Sequence, residues 1–132
     1  MPEMFSDEWA QAYMDVWNSD AEITEMLGKA GFSSIVAFGQ QDEEDPRFVM
    51  TIENGKIVSV DKNPAGDIKW DLRANQDFWF SLLTRPPCLM KLCMAYTSRK
   101  LRFKVGDYAT MIKDPSLAGA FVKCFALMGK VG

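Results

Sequence analysis

A chain of 132 residues, 48% hydrophobic and 25% charged with a net charge of −3, has the composition of one self-folding globular domain: too short for two domains and too apolar for a disordered chain. It contains no histidine, which excludes Ser-His and Cys-His nucleophile pairs and removes the commonest zinc ligand and the usual general base near neutral pH. No run approaches the roughly 18–20 apolar residues of a membrane-spanning helix, and the acidic start Met1-Pro2-Glu3-Met4-Phe5-Ser6-Asp7-Glu8 is unlike a secretory leader, so a soluble, cytoplasmic protein is expected.

From Ser6 to about Asn18, Trp9, Ala12, Tyr13, Val16 and Trp17 fall at helical spacing, with Asp7 and Glu8 suited to the positive end of the helix dipole. Ser19 and Glu22 have capping-box spacing for a second helix that carries Ile23, Met26 and Leu27 and ends between Gly28 and Gly31. The period then changes from 3.6 to two. Ser34–Gln40 reads as a strand, and Asp42-Glu43-Glu44-Asp45 before Pro46 reads as a solvated hairpin tip rather than a cation site. Phe48, Met50 and Ile52 alternate up to Asn54-Gly55, the strongest short hairpin signal, and Lys56–Val60 is the returning strand.

Ile68, Trp70 and Leu72 then alternate with Asp67, Lys69 and Asp71, while Leu101, Phe103 and Val105 alternate with Lys100, Arg102 and Lys104. A sheet with one wet face and one covered face follows. Between these strands Phe78, Trp79, Leu82 and Leu83 form a helical stripe over Asn75–Leu83 that stops at Arg85-Pro86-Pro87, and Leu89–Tyr96 carries Met90, Cys93 and Met94.

After a short segment, Asp107–Lys113, Asp114 caps a new helix with Pro115 at its first position. Its run from Leu117 to Met128 holds one charge, Lys123, and no wide polar face. Such a helix must be buried on several sides, cover a partner or line an apolar space. The chain has nine methionines, and Met50, Met90, Met94, Met111 and Met128 fall on segments expected to face inward, where flexible thioethers suit mobile hydrocarbon. Cys88, Cys93 and Cys124 are odd in number and lack CxxC spacing, so buried or half-buried free thiols in a reducing compartment are expected. Arg85, Lys91, Arg99, Lys100, Arg102 and Lys104 form a stretch without an acid that can attract phosphate headgroups, although half of it reads as the solvent side of one strand.

The helix start Phe5-Ser6-Asp7-Glu8-Trp9, the turn Asn54-Gly55-Lys56 and the strand Asp67-Ile68-Lys69-Trp70 leading to Asp77-Phe78 occur in the order seen in the sterol carrier protein 2 (SCP2) family. Arg99-Lys100-Leu101-Arg102-Phe103-Lys104-Val105-Gly106-Asp107 is similar to that family's Gly-Lys-Leu-Lys-Ile-x-Gly-Asp element, and an apolar terminal helix follows it. This resemblance spans nearly the whole chain. It implies an α+β fold with a five-stranded, mostly antiparallel sheet and helices packed on one face, forming a single domain over residues 1–132. It further implies a tunnel for fatty acyl chains, acyl-CoA, sterols or phospholipids, with no cofactor or metal and no catalysis. Arg99 stands where that family has glycine, and Arg85-Pro86-Pro87 replaces a glycine-lysine turn. Both departures lie near the expected cavity entrance.

The function expected is non-catalytic carriage of a lipid in a preformed space, with burial contributing about 0.8 kcal/mol per methylene. Phe78, Leu82, Met90, Met94, Phe103, Met111, Leu117, Phe121, Phe125 and Met128 are the expected lining, and Arg99 and Lys100 the headgroup contacts. The partners expected are a lipid or fatty acyl ligand, a transient membrane contact and a second copy of the chain. Nucleic acid is not among them, because the chain is acidic and its basic strip forms no recognisable RNA or DNA module. The rival reading is an interaction module whose terminal helix completes a dimer or docks on an enzyme. Catalysis by a cysteine or by carboxylates lacks the Gly-rich phosphate loop, nucleophile elbow or paired metal motif that would support it.

Overall fold

Local chemistry starts most of the helices where the sequence places them. In the computed structural model, which describes residues 3–64, 66–85 and 88–131 (the side chains of 83, 84 and 116 excepted), Ser6 accepts the Trp9 backbone N–H and opens α1, Asp7–Ser19. Helix α2, Ala21–Lys29, is capped by Asp20, which accepts from the Ile23 N–H at 3.0 Å. The cap expected at Ser19 is corrected by one position, because α1 runs on through Ser19 and leaves a single residue between the helices. Asn75 caps α3 (Gln76–Thr84), Asp107 caps α5 (Tyr108–Lys113), and Asp114 accepts from Leu117 at the start of α6 (Pro115–Met128). Helix α4 spans Leu89–Thr97 and has no side-chain cap. Met1, Pro2, the Leu83 side chain and the Pro86-Pro87 helix stop lie outside the described residues.

Five strands, β1 (Ser34–Gln40), β2 (Phe48–Glu53), β3 (Lys56–Ser59), β4 (Trp70–Ala74) and β5 (Leu101–Val105), form one mixed sheet in the order β3-β2-β1-β4-β5. Only β1 and β4 are parallel; the other three neighbouring pairs are antiparallel. The β2–β3 turn takes left-handed φ at Asn54 (49°) and Gly55 (84°), as a two-residue hairpin turn requires. A Cβ on Gly55 would lie 2.6 Å from the Gly28 nitrogen, so the turn rests directly on the backbone of α2. At the outer edge of β3, the Asn18 side chain donates to the Ile57 carbonyl and accepts from its N–H, standing in for a further strand.

The helices lie over the face carrying Val36, Phe38, Phe48, Met50, Ile52, Leu72 and Leu101, all buried. At their centre is α6, in contact with α1, α2, α3, α4 and α5. That explains its missing polar face: its own chain surrounds it.

The reverse face departs from the wet surface expected of it. Ala37, Val49, Asp71 and Arg73 are buried there. Arg73 donates to Asp71 at 2.6 and 3.0 Å and to the carbonyls of Glu43 at 2.6 Å and Glu44 at 3.1 Å, drawing the acidic β1–β2 loop over the sheet. The crossover from β3 to β4 meets the same face at Gly66, where a Cβ would lie 3.2 Å from the Ile35 side chain, and joins the sheet where Lys69 N–H donates to the Ile35 carbonyl. A paired guanidinium whose remaining donors meet carbonyls is the arrangement in which a buried charge is tolerated.

Candidate functional site

Between the helical face of the sheet and helices α2, α5 and α6 lies an apolar cavity of about 60 Å³. The sheet supplies Val36, Phe38, Met50, Ile52, Trp70 and Leu72; the opening helices and the segment after them supply Trp17, Leu27 and Phe32. Met111 comes from α5, and Leu117, Ala120, Phe121 and Cys124 from α6. Burial pushes the Cys124 thiol well above its ordinary pKa, and its Sγ donates to the Phe121 carbonyl at 3.0 Å, so it acts as a neutral, small apolar group rather than a nucleophile.

Two seams join the helices around the cavity. At the first, Lys123 of α6 reaches Asp20 at 3.4 Å and Glu22 at 3.2 Å, bridging to the start of α2. Burial by itself would raise the Asp20 pKa, but the Ile23 N–H and the Lys123 ammonium outweigh it and hold the carboxyl below its ordinary value. The second seam is α5, only six residues long, whose main packing partner is α6 and which carries Met111 onto the cavity. It is bounded by Gly106 at φ 99° and by Asp114-Pro115. A Cβ on Gly106 would lie 2.5 Å from the Trp70 ring, so this glycine leaves room for a lining side chain.

Tyr108 ties α5 to α4. Its hydroxyl donates to Cys93 Sγ at 2.6 Å and its ring stacks on Tyr96 with centroids 4.0 Å apart. Partial burial, then the Cys93 contact, push its pKa up to about 12, so it stays protonated at neutral pH. Phe103 lies 5.7 Å from Tyr108 and 5.9 Å from Phe121, which continues the ring contacts from α4 to the cavity wall.

Of the residues read from the sequence as lining, Met111, Leu117 and Phe121 border the cavity. Phe125 and Met128 are fully buried one layer away, Phe125 against Phe38 and Trp79. Leu82 is buried, and Phe78 and Phe103 are half-buried. The expected inward orientation of Met90 and Met94 is corrected: they are 72% and 65% exposed, because α4 buries its other stripe, Leu92 and Ala95. Arg99 and Lys100 are exposed at the end of α4, and Arg99 adopts φ 64°. A left-handed residue there is what a glycine would satisfy without strain. Cys88, expected to be at least half-buried, is exposed.

The lining from α1, α2 and the central strands was not foreseen as a site. Its signal was nevertheless present in the alternation of Met50, Ile52, Trp70 and Leu72, which marks the covered face beneath the terminal helix. The space is also smaller than expected. Ligand pockets run to about 300–1,000 Å³, so 60 Å³ admits a few carbon atoms and not a hydrocarbon tail. The preformed tunnel is thereby corrected, because ring-on-ring packing around Phe38, Phe48 and Trp79 fills the rest of the interior.

No protein-family model matches the chain, and no curated protein matches it. Solved structures do. A crystal structure of sterol carrier protein 2 superposes with a TM-score of 0.76 at 17% identity, covering 98% of this chain and 100% of that one. The solution structure of a conserved hypothetical protein from Thermus thermophilus, described as a possible sterol carrier protein, gives 0.64 at 19% identity, covering 96% and 90%. A ubiquinone synthesis protein described as UbiJ-SCP2 gives 0.62 at 12% identity, covering 97% and 95%. The chain therefore has the sterol carrier protein 2 fold over nearly its whole length.

Proposed function

We propose that this protein binds a lipid acyl chain, or a long apolar ligand of similar shape, between the sheet and helices α2, α5 and α6, and that it performs no chemistry on it. The observation that carries this reading is the wholly apolar cavity at the point of a sterol-carrier fold where packing is incomplete. Met111, Leu117 and Phe121 form its outer wall. Phe103 and Met128 belong to the layer that yields as the ligand lengthens, Phe78, Leu82 and Phe125 bound it on the fixed α3 side, and Arg99 and Lys100 contact a charged headgroup.

Binding requires the wall to move. Displacing α5 exposes Met111, at about 3 kcal/mol, and breaks the Tyr108–Cys93 hydrogen bond, at about 1 kcal/mol more, which burial of about five methylenes offsets; a longer chain leaves a surplus against the cost of ordering it. Helix α5 suits this role because it is short, bounded by Gly106 and held chiefly by α6 and by Tyr108. The dimer or enzyme-docking reading loses its main support, since α6, the helix that would have been covered by a partner, is enclosed by its own chain.

Native mass spectrometry before and after organic extraction, with titration of a fluorescent fatty acid, tests the proposal. Copurified acyl or sterol species and saturable binding are expected, with Ala120→Leu weakening binding about tenfold by filling the cavity while unfolding stays cooperative. Leu117→Phe provides a second filling variant should the first fold poorly. Absence of both copurified lipid and saturable binding overturns the reading, as does undiminished binding by a well-folded filling variant.

A further inference from the structure

Helix α4 presents two apolar stripes, and the fold uses only one. Leu92 and Ala95 are buried, whereas Met90 and Met94, one turn apart, stand out at 72% and 65% exposure beside exposed Leu89 and Tyr96. Nothing in the packing of the described residues accounts for this stripe, and contiguous exposed apolar groups mark an interaction surface.

The charge around it narrows the partner. Residues 78–106 hold six of the fifteen lysines and arginines and none of the eighteen acids, in a chain whose net charge is −3. Arg102 and Lys104 alternate onto the reverse face of β5, where Lys104 donates to the Glu44 carbonyl. Lys91, three residues before Met94, and Arg99 and Lys100, just past the end of α4, are exposed. Protruding thioether and aliphatic groups flanked by cations suit a surface that is anionic outside and apolar within.

We propose that α4 docks on the surface of an anionic phospholipid membrane, sinking Met90 and Met94 below the headgroups while Lys91, Arg99 and Lys100 contact the phosphates. The assignment deepens the lipid-binding reading and rests on it for its purpose. Docking takes place where the cavity's movable wall is fastened. Cys93 and Tyr96 of the same helix hold Tyr108 of α5, and Tyr108, Phe103 and Phe121 lead ring by ring to the cavity. Contact of α4 with lipid therefore places that fastening at the membrane, where an acyl chain has the shortest path from bilayer to protein.

Flotation with phosphatidylcholine vesicles, with and without phosphatidylserine, tests the docking at low and high salt. The wild-type protein is expected to float with the anionic vesicles, and about tenfold less with the zwitterionic ones or in high salt. Met90→Glu with Met94→Glu, and separately Lys91→Glu with Lys100→Glu, are each expected to lower binding about tenfold without changing the circular dichroism spectrum or Tm. Wild-type protein that ignores anionic vesicles, or variants that float as well as wild type, overturn the proposal. So does a wild-type dimer that the methionine variants split into monomers without any vesicle binding, because the stripe then belongs to a second copy. A protein that takes up fatty acid in solution yet never floats sinks the docking alone, whereas one that floats but takes up no fatty acid sinks the cavity reading.

Discussion

The two ends of the interior are packed on different principles. Beneath α1 and α3, Phe5, Trp9, Tyr13, Phe38, Phe48, Trp79 and Phe125 meet ring to ring with centroids 5.2–6.4 Å apart. The polar edges among them are satisfied, Tyr13 donating to the Cys124 carbonyl at 2.8 Å and Trp79 to the Gly39 carbonyl at 3.0 Å. Beneath α2 and α5, aliphatic and thioether chains, Leu27, Met50, Met111 and Leu117, share the border of a gap with Trp17, Phe32, Trp70 and Phe121. Interlocked rings have few rotamers and leave no slack, whereas thioether and branched aliphatic chains can swing aside. The ring end even holds Phe5 at φ 68°, a conformation that costs an L-residue about 1–2 kcal/mol. One end is a rigid frame, and the other is the part that can open.

Mutations at the two ends should therefore differ. Trp79→Ala is expected to remove about 3–5 kcal/mol of stability, measured by urea unfolding, because it deletes a fully buried ring with three aromatic neighbours at the frame and removes the donor to the Gly39 carbonyl. Leu117→Ala should cost about 2 kcal/mol, the low end for such a change, since its neighbours already border a gap; it should also quicken uptake of a fluorescent fatty acid. Equal losses at the two positions would erase the contrast.

Acid should act on the seam between α2 and α6. The folded-state pKa of Asp20 lies below the ordinary 3.8, so its contribution is complete above that value and is lost as pH falls through the lower, folded one. Thermal unfolding followed from neutral pH to below 3.8 should show a loss of Tm that Asp20→Asn reduces, and Asp20→Ala should cost about 1 kcal/mol at neutral pH through its cap. The smallest effect is expected at Arg99→Gly. Relief of the left-handed φ, set against the greater freedom of glycine in the unfolded chain, should stabilise by about 0.5 kcal/mol and leave the cavity unchanged.

The same residues show what could be read in advance. Asn54-Gly55 declares a hairpin because only a few residue types accept its dihedrals, and the Asp114-Pro115 start declares a helix for a similarly local reason. On α4 both Met90/Met94 and Leu92/Ala95 satisfy helical spacing, so periodicity could not choose which stripe faces inward. Asp71 reads as one polar residue of an alternating strand, and its burial depends on Arg73 gathering carbonyls some thirty residues earlier in the chain.

Sequence alone determined the order and kind of elements, the covered face of the sheet and the lack of a wide polar face on the last helix, because caps, turns and periods act over a few residues, whereas what encloses that helix is a tertiary outcome. Tertiary structure decided which stripe of α4 meets solvent, how the reverse face is closed, and where a gap is left and how small it is. Those outcomes follow from the fit between segments distant in the chain, and a void of 60 Å³ is the small remainder of large volumes that otherwise fill one another.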